Sequence, residues 1–274
     1  MSFQSLTEIL DKSKTDTIPK KGIIIIMKAI ILSAGYATRL YPLTKDIPKG
    51  LLPIGEKSIL DFIVDQIETI KDIDEVFIIS NHKFYKNFYD WSVIRKSHLK
   101  FTVLDDNTTD DTNKLGAIGD IQFTIEKGNI CEDVLIMAGD NFFTFDLLDY
   151  INFYKKVNAD TILVKEMDKL SDLQRMGNAI LDGNDKVVEM EEKPQEPKSK
   201  CAVFASYIYK KETLPLIKQY LNEGNNPDAP GFFPSWLHKI KPVYAYKFIG
   251  ECYDIGTHES YAEVCDIFGS SIKL

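Results

Sequence analysis

The chain has 274 residues, enough to bury a substantial hydrophobic core as one large domain or two closely fused units. It carries 33 Lys and Arg against 41 Asp and Glu, a formal net charge of −8, which argues against broad binding to nucleic acid or to anionic membranes. Any phosphate ligand must therefore be held by positive charge concentrated at one place.

The four cysteines and four histidines lack the spacings of metal or redox motifs, because neither C-x-x-C nor H-x-x-x-H occurs. This disfavours a zinc site and a disulfide framework, and it predicts a cytoplasmic protein. The apolar run at residues 23–32 is too short to span a bilayer and contains Lys28, so we expect no membrane partner. We interpret residues 1–26 as an N-terminal extension, with the spacing of a short helix at residues 5–16, and residues 27–274 as the functional domain.

The first strong pattern is residues 23–32, whose aliphatic side chains predict a buried parallel strand. Small residues follow, and in such a turn successive backbone N–H groups form a concavity that binds anions. Arg39 and Lys49 add positive charge beside it. Similar turns occur in many α/β proteins, and neither G-x-x-x-x-G-K-[ST] nor G-x-G-x-x-G is present. We predict that the nucleotide-binding residues of this turn are Leu32, Ser33, Ala34, Gly35, Tyr36, Ala37 and Thr38.

Helical and strand patterns then alternate, which predicts an α/β fold with a mainly parallel mixed sheet and flanking helices. Residues 177–182 and 186–192 form a predicted hairpin, so a smaller antiparallel portion is also expected. Aromatic residues at helical spacing are predicted to pack in the core rather than stack on a base: Phe84, Tyr85, Phe88, Tyr89 and Trp91. The predicted helices are 58–70, 84–91, 146–157, 212–223, 231–240, 259–268 and one that starts at 115–120, and the further strands are 75–80, 100–104, 133–138, 159–166, 201–209 and 243–249.

Two acidic segments are candidate metal sites. Asp140 follows strand 133–138, and a carboxylate at the carboxyl end of a parallel strand points into the crevice where open α/β sheets bind ligands. An aspartate there can also simply cap a turn or helix. The loop 105–111 contains four carboxylates and is a rival metal site, although acidic loops are more often solvated surface.

Residues 30–44 and 48–54 closely resemble the signature L-A-x-G-x-G-T-R-L-x-P-L-T and P-K-P-L-L-P-I of the sugar-phosphate nucleotidyltransferases, or NDP-sugar pyrophosphorylases. The chain is similar in particular to the glucose-1-phosphate thymidylyltransferases. It departs at Ala37, where glycine is usual, and at Gly50, where proline is usual. Three later segments also match, up to about residue 266: G-D-[NH] at 139–141, E-E-K-P at 191–194 and W/Y-x-D-x-G-T at 253–257.

The resemblance implies a Rossmann-like fold and a reaction in which an NTP and a sugar 1-phosphate give an NDP-sugar and pyrophosphate. It implies Mg²⁺ on Asp140 and Asp254, and Arg39, Lys49 and Lys193 as catalytic residues. It places the base against Gly116, with Asn107 as a weaker candidate, and the sugar phosphate against Gly177, Glu192 and Lys193. We expect no hexapeptide-repeat domain, and the sequence leaves a homo-oligomer open.

Two segments depart from the family pattern on the side of the sugar. Residues 176–180 read M-G-N-A-I instead of Y-G-V-V-E, and residues 204–207 read F-A-S-Y instead of T-G-x-Y. The acceptor could therefore differ from an ordinary hexose phosphate. Two alternatives stay open: a cytidylyltransferase acting on a non-sugar phosphate such as phosphocholine, and a non-catalytic regulatory homologue that binds nucleotide sugars.

Overall fold

The computed structural model describes residues 26–269, so the predicted helix at 5–16 and the first residues of the predicted strand 23–32 lie outside the described part. The strands are β1 (Met27–Leu32), β2 (Pro53–Ile54), β3 (Lys57–Ser58), β4 (Ile73–Ser80), β5 (Lys100–Asp105), β6 (Asp133–Ala138), β7 (Asn141–Phe143), β8 (Asp160–Glu166), β9 (Gly177–Leu181), β10 (Val187–Glu192), β11 (Cys201–Tyr209), β12 (Val243–Lys247) and β13 (Cys252–Asp254). The helices are α1 (Ile59–Glu68), α2 (Tyr85–Ile94), α3 (Ala117–Gly128), α4 (Leu147–Val157), α5 (Leu170–Leu173), α6 (Leu214–Asn222), α7 (Phe232–Leu237) and α8 (His258–Phe268).

The main sheet has two halves that meet at β6. In the first half β6, β1, β4 and β5 run parallel in that order. In the second half β11 pairs antiparallel with β6 and β8, and the hairpin β9–β10 continues the sheet beyond β11. The predicted mixed α/β sheet with an antiparallel portion is confirmed.

Strand β1 shows why the sheet must be covered on both faces. Its residues alternate between two hydrophobic clusters, as the two-residue period of a strand requires. Ala29 and Ile31 pack into the cluster that contains α1 and α4, while Ile30 packs with residues of α3 and α6 on the opposite face. Because hydrophobic residues cover both faces of the sheet, functional side chains can reach a ligand only at the ends of the strands.

The aromatic helix α2 agrees with its prediction in part. Phe84, Phe88 and Trp91 are buried, as predicted for core residues. The prediction is wrong for Tyr89, which is 50% exposed and stacks on Tyr85 at a ring-centroid distance of 6.1 Å. Tyr89 lies, with Lys86 and Asp90, on the face of the helix that is exposed within the described residues. Within residues 26–269, none of the helices has the length and apolarity that crossing a bilayer requires.

Helices α1 and α2 are joined by one arginine and three carboxylates. The Arg95 guanidinium lies 3.1 Å from Asp61, 2.6 Å from Asp65 and 3.1 Å from Glu68, and its side chain is only 15% exposed. Hydrogen bonds from Lys57 and Arg95 lower the pKa of Asp65 against the opposing effect of burial. Without this guanidinium, Asp61 and Glu68 would lose these ion pairs, and Asp65 would keep only its ion pair with Lys57.

We expect Arg95→Met to lower the free energy of unfolding by about 2 kcal/mol at pH 7, measured by urea denaturation, since it strands partly buried charges. Because the pKa of Asp65 is lowered in the folded protein, its contribution is present above its unfolded pKa and is lost as the pH falls. The difference between wild type and variant should therefore shrink in acid. The neighbouring exposed Lys96, changed to Met, should show neither effect.

Candidate active site

A cavity of about 950 Å³ opens at the carboxyl ends of β1 and β6, where the parallel and antiparallel halves of the sheet meet. This is the crevice in which open α/β sheets bind ligands. Eight of the residues predicted from the sequence line it: Leu32, Arg39, Lys49, Asp140, Gly177, Glu192, Lys193 and Asp254. The predicted turn residues 33–38, Asn107 and Gly116 are not part of its lining.

Two short strands bring the two predicted metal ligands together. Strand β7 begins directly after Asp140 and pairs antiparallel with β13, so that Asn141 faces Asp254. The backbone N–H of Ile255 also donates to the carbonyl oxygen of Asp140 at 3.3 Å. Two carboxylates from distant parts of the chain are therefore held beside each other by the backbone itself.

The ammonium group of Lys49 lies between these carboxylates. Its Nζ is 2.6 Å from Asp140 Oδ2 and 3.8 Å from Asp254 Oδ1, and its side chain is 13% exposed. Lys49 begins a 3₁₀ turn, and a Cβ added to the next residue, Gly50, would lie 2.8 Å from the carbonyl oxygen of Gly139. The departure from the family pattern at Gly50 thus falls where a side chain would press on the Asp140 segment.

Negative charge is costly at this point of the cavity. Burial and the nearby Asp140 carboxylate raise the pKa of Asp254, whereas the positive charges of Lys49, Arg39 and Arg175 oppose that change. A Cβ built on Gly256 would be 3.5 Å from Arg39 Nη2 and 3.6 Å from Asp254 Oδ2, so arginine and aspartate lie on the same side of that glycine. The two carboxylates therefore favour a cation that remains charged near neutral pH.

A Mg²⁺ ion fits this donor set. Magnesium is commonly held by one or two carboxylates while phosphates and water complete its octahedron. Asp140 and Asp254 are two hard oxygen donors that lie on either side of the Lys49 ammonium group. In residues 26–269 no group of three or more His, Cys, Asp or Glu side chains converges as a metal cage, which a site completed by phosphate does not require.

The rival acidic loop uses its carboxylates to hold its own backbone. Asp105, Asp106 and Asp110 accept hydrogen bonds from the N–H groups of Asn107, Thr108 and Thr112. Burial and the neighbouring Asp106 raise the pKa of Asp120 on α3 to about 8, so this acidic pair favours a proton over a second negative charge. None of the loop's carboxylates lines the cavity.

The turn after β1 is tightly built. Ala37 has a left-handed φ of 49°, which explains why glycine is usual there, and its carbonyl oxygen accepts from Thr44 Oγ1 at 2.7 Å. A Cβ on Gly139 would lie 2.1 Å from Ser33 Oγ, so this glycine lets the Asp140 segment pack closely against the turn. The turn and the carboxylate pair are thereby positioned as one unit.

At the other end of the cavity, Glu192 is largely buried beside two glycines. Burial raises its pKa to about 7, against the opposing charge of Lys193. A Cβ on Gly231 would lie 1.9 Å from Glu192 Oε2, and a Cβ on Gly177 would lie 2.9 Å from the same atom. These glycines leave the space that the carboxylate occupies. Lys193 follows with a φ of 50°, and its N–H donates to the carbonyl of Met176 at 3.1 Å.

The two departures on the sugar side have different structural consequences. Asn178 is buried outside the cavity lining, and its side-chain amide bonds to the backbone of residues 198, 199 and 201. It braces the loop after β10 instead of facing the acceptor. Phe204, Ala205 and Tyr207 do line the cavity, so only this second segment can change the shape of the acceptor pocket.

Several lining residues were not among the sequence predictions, chiefly Lys169, Gln174 and Arg175 from the segment that contains the one-turn helix α5. No periodic pattern marks so short a helix. Arg175 could have been singled out from the sequence because the chain contains only three arginines.

Replacing Glu192 tests the electrostatics of the cavity directly. The pKa of Glu192 is raised from 4.5 to about 7 in the folded protein, so Glu192 loses its proton at a lower pH in the unfolded chain. This residue therefore makes wild-type stability fall as the pH rises between those values. Between pH 5 and pH 8, wild type should lose roughly 2.5 kcal/mol of unfolding free energy relative to Glu192→Gln in urea denaturation without ligands. The exposed neighbour Glu191, changed to Gln, is the control; an equal wild-type-to-E192Q difference at both pH values would contradict the burial argument.

A family model described as "Nucleotidyl transferase" matches residues 28–269. A glucose-1-phosphate adenylyltransferase of Clostridium acetobutylicum is 32% identical over 266 residues, covering 89% of this chain and 66% of that protein. The corresponding enzyme of Clostridium novyi is 30% identical over 252 residues, covering 85% of this chain and 64% of that protein. A solved structure of UDP-glucose pyrophosphorylase complexed with UDP-glucose has the same fold, with a TM-score of 0.77 at 21% identity over 90% of this chain and 100% of that chain.

The chain spans between 42% and 66% of the length of the curated relatives it matches. The family match itself covers most of the part that the structure describes, including the turn, the carboxylate pair and the sugar-side hairpin. The chain belongs to the nucleotidyl transferase family.

Proposed function

We propose that this protein joins a nucleoside triphosphate and a sugar 1-phosphate to give an NDP-sugar and pyrophosphate. The observation that carries the proposal is the convergence of Asp140, Asp254 and Lys49 in one cavity, with Lys49 Nζ 2.6 Å from one carboxylate and 3.8 Å from the other. The names of the Clostridium relatives support the same substrate classes.

In the proposed reaction a phosphate oxygen of the sugar 1-phosphate attacks the α-phosphorus of the nucleotide. The new O–P bond forms as the bond from the α-phosphorus to the bridging oxygen breaks, and pyrophosphate leaves with that electron pair. The attacking oxygen is already anionic, so no covalent protein nucleophile is needed. The protein's task is to align the two phosphates and to offset their charge, for which positioning can supply roughly 7 to 11 kcal/mol.

The lining residues divide this task. Arg39 and Lys49 would hold the leaving pyrophosphate and the α-phosphoryl charge, while Lys193 would hold the acceptor phosphate. The backbone amides of residues 32–38 would bind the triphosphate, and the backbone at Gly116 would contact the base, with Asn107 as a second candidate. Gly177 and the Glu192 carboxylate would meet the hydroxyl groups of the sugar.

Asp140 and Asp254 would hold Mg²⁺. A bound magnesium ion supplies charge neutralisation and a template for phosphate groups. Lys49 can then move its ammonium from the carboxylates to phosphate oxygens, because it is a compact charge on a flexible stem. We place the reaction in the cytoplasm, because the spacing of the four cysteines disfavours a disulfide framework.

The first experiment measures pyrophosphate release across four NTPs and a panel of sugar 1-phosphates and phosphocholine, with Mg²⁺ and with excess EDTA. We expect turnover with at least one sugar 1-phosphate and its loss in EDTA. Release with phosphocholine alone would show that the acceptor is a non-sugar phosphate. Tight binding of NDP-sugars without turnover would indicate a regulatory homologue.

Asp140→Asn and Asp254→Asn should each lower kcat/KM by roughly 100-fold or more, because each removes a carboxylate that would hold the Mg²⁺ ion and so weakens the charge neutralisation of the reacting phosphates. Circular dichroism should show that both variants remain folded. Asp168→Asn is the matched control, since that carboxylate is exposed and pairs with Lys200 outside the cavity. Wild-type turnover in either cavity variant would refute the proposed role of the pair.

A further inference from the structure

The three arginines of this chain lie at two different sites. Arginine contributes only three of the 33 basic residues, and the rest are lysine. Arg95 forms ion pairs with Asp61, Asp65 and Glu68 on α1. The other two, Arg39 and Arg175, both line the 950 Å³ cavity. A chain that otherwise uses lysine for positive charge therefore keeps its remaining planar guanidinium groups for this cavity.

Arg175 enters the cavity next to Lys193. It lies between α5 and β9, and the following residue, Met176, accepts the backbone hydrogen bond of Lys193 at 3.1 Å. One residue further, Gly177 pairs with Glu192 across the hairpin. Arg175 and Lys193 therefore stand at the same end of the β9–β10 ladder, and both line the cavity.

The Arg175 side chain shares its cavity with the predicted metal ligands. Arg175, Lys193, Asp140 and Asp254 all line this one space. In the proposed reaction this is where the acceptor phosphate must meet the α-phosphate.

The same guanidinium is free to take a ligand. Among the residues that the structure describes, it makes neither an ion pair nor a side-chain hydrogen bond, and the residue is exposed. Its neighbour Lys169 instead lies 3.7 Å from Asp172. Its five N–H donors, set in a rigid fork, are exposed at the lining of the cavity and can accept an anionic ligand there.

We propose that Arg175 is a second ligand of the acceptor phosphate, binding two of its oxygens while Lys193 contacts the same group as a point charge. This assignment rests on the proposed function. A guanidinium matches two phosphate oxygens with parallel hydrogen bonds, whereas a lysine ammonium cannot reproduce that geometry. Arg175 thereby selects acceptors that carry a terminal phosphate.

The first test separates the two substrates kinetically. With the best NTP and acceptor found in the pyrophosphate-release panel, Arg175→Gln should raise the KM of the acceptor about 10- to 100-fold, the loss expected for a charged hydrogen-bonding partner. The KM of the NTP should change less than about twofold, and Arg175→Lys should recover only part of the loss. Lys200→Gln is the control, because this exposed lysine pairs with Asp168 outside the cavity. Equal changes in both KM values, or full recovery by lysine, would overturn the assignment.

The second test does not depend on turnover. Isothermal titration with inorganic phosphate should show binding to wild type and to Lys200→Gln, and about 10-fold weaker binding to Arg175→Gln. If no substrate pair supports turnover, the proposed function fails while this titration still decides the phosphate site. Equal phosphate affinity in wild type and Arg175→Gln, or no phosphate binding by wild type, would overturn the role of Arg175.

Discussion

The repulsion between two carboxylates that the backbone holds side by side is the constraint on which this site depends. Asp140 and Asp254 cannot move apart freely, because β7 and β13 pair directly beside them. Burial and their mutual charge raise the pKa of Asp254, so the pair is stable as two anions only when positive charge is close. Lys49 supplies that charge in this structure, and in the proposed function a divalent ion would replace it.

The two halves of the sheet contribute different charges to one cavity. The parallel half brings Arg39, Lys49 and Asp140 to the ends of β1 and β6, while the antiparallel hairpin brings Glu192 and Lys193. The protein as a whole is acidic, with a net charge of −8. In the proposed function, phosphate binding therefore depends on the placement of a few cations in one cavity, and Arg175 follows the same rule.

Most elements of the fold were predictable because their periodicity extends over several turns or strand residues. The capping box of Ser58 and Asp61 starts α1 where the sequence indicated, and the predicted hairpin is present as β9 and β10. The three-residue strands β7 and β13 and the four-residue α5 were missed, since segments so short carry no readable period. Those elements place Asp254 and Arg175, so spatial convergence of the site could be expected only from the family resemblance. Asn178 is an opposite case. The sequence indicated a change in the acceptor pocket at this position, whereas in the structure Asn178 braces a loop.

The position of the divalent ion tests the central claim most directly. Crystals grown with Mn²⁺ and a nucleoside triphosphate, measured for anomalous scattering, should show a peak bridging Asp140 and Asp254, with Lys49 displaced toward the phosphates. A peak at the loop of residues 105–111, or a nucleotide bound with no metal between the two aspartates, would contradict it.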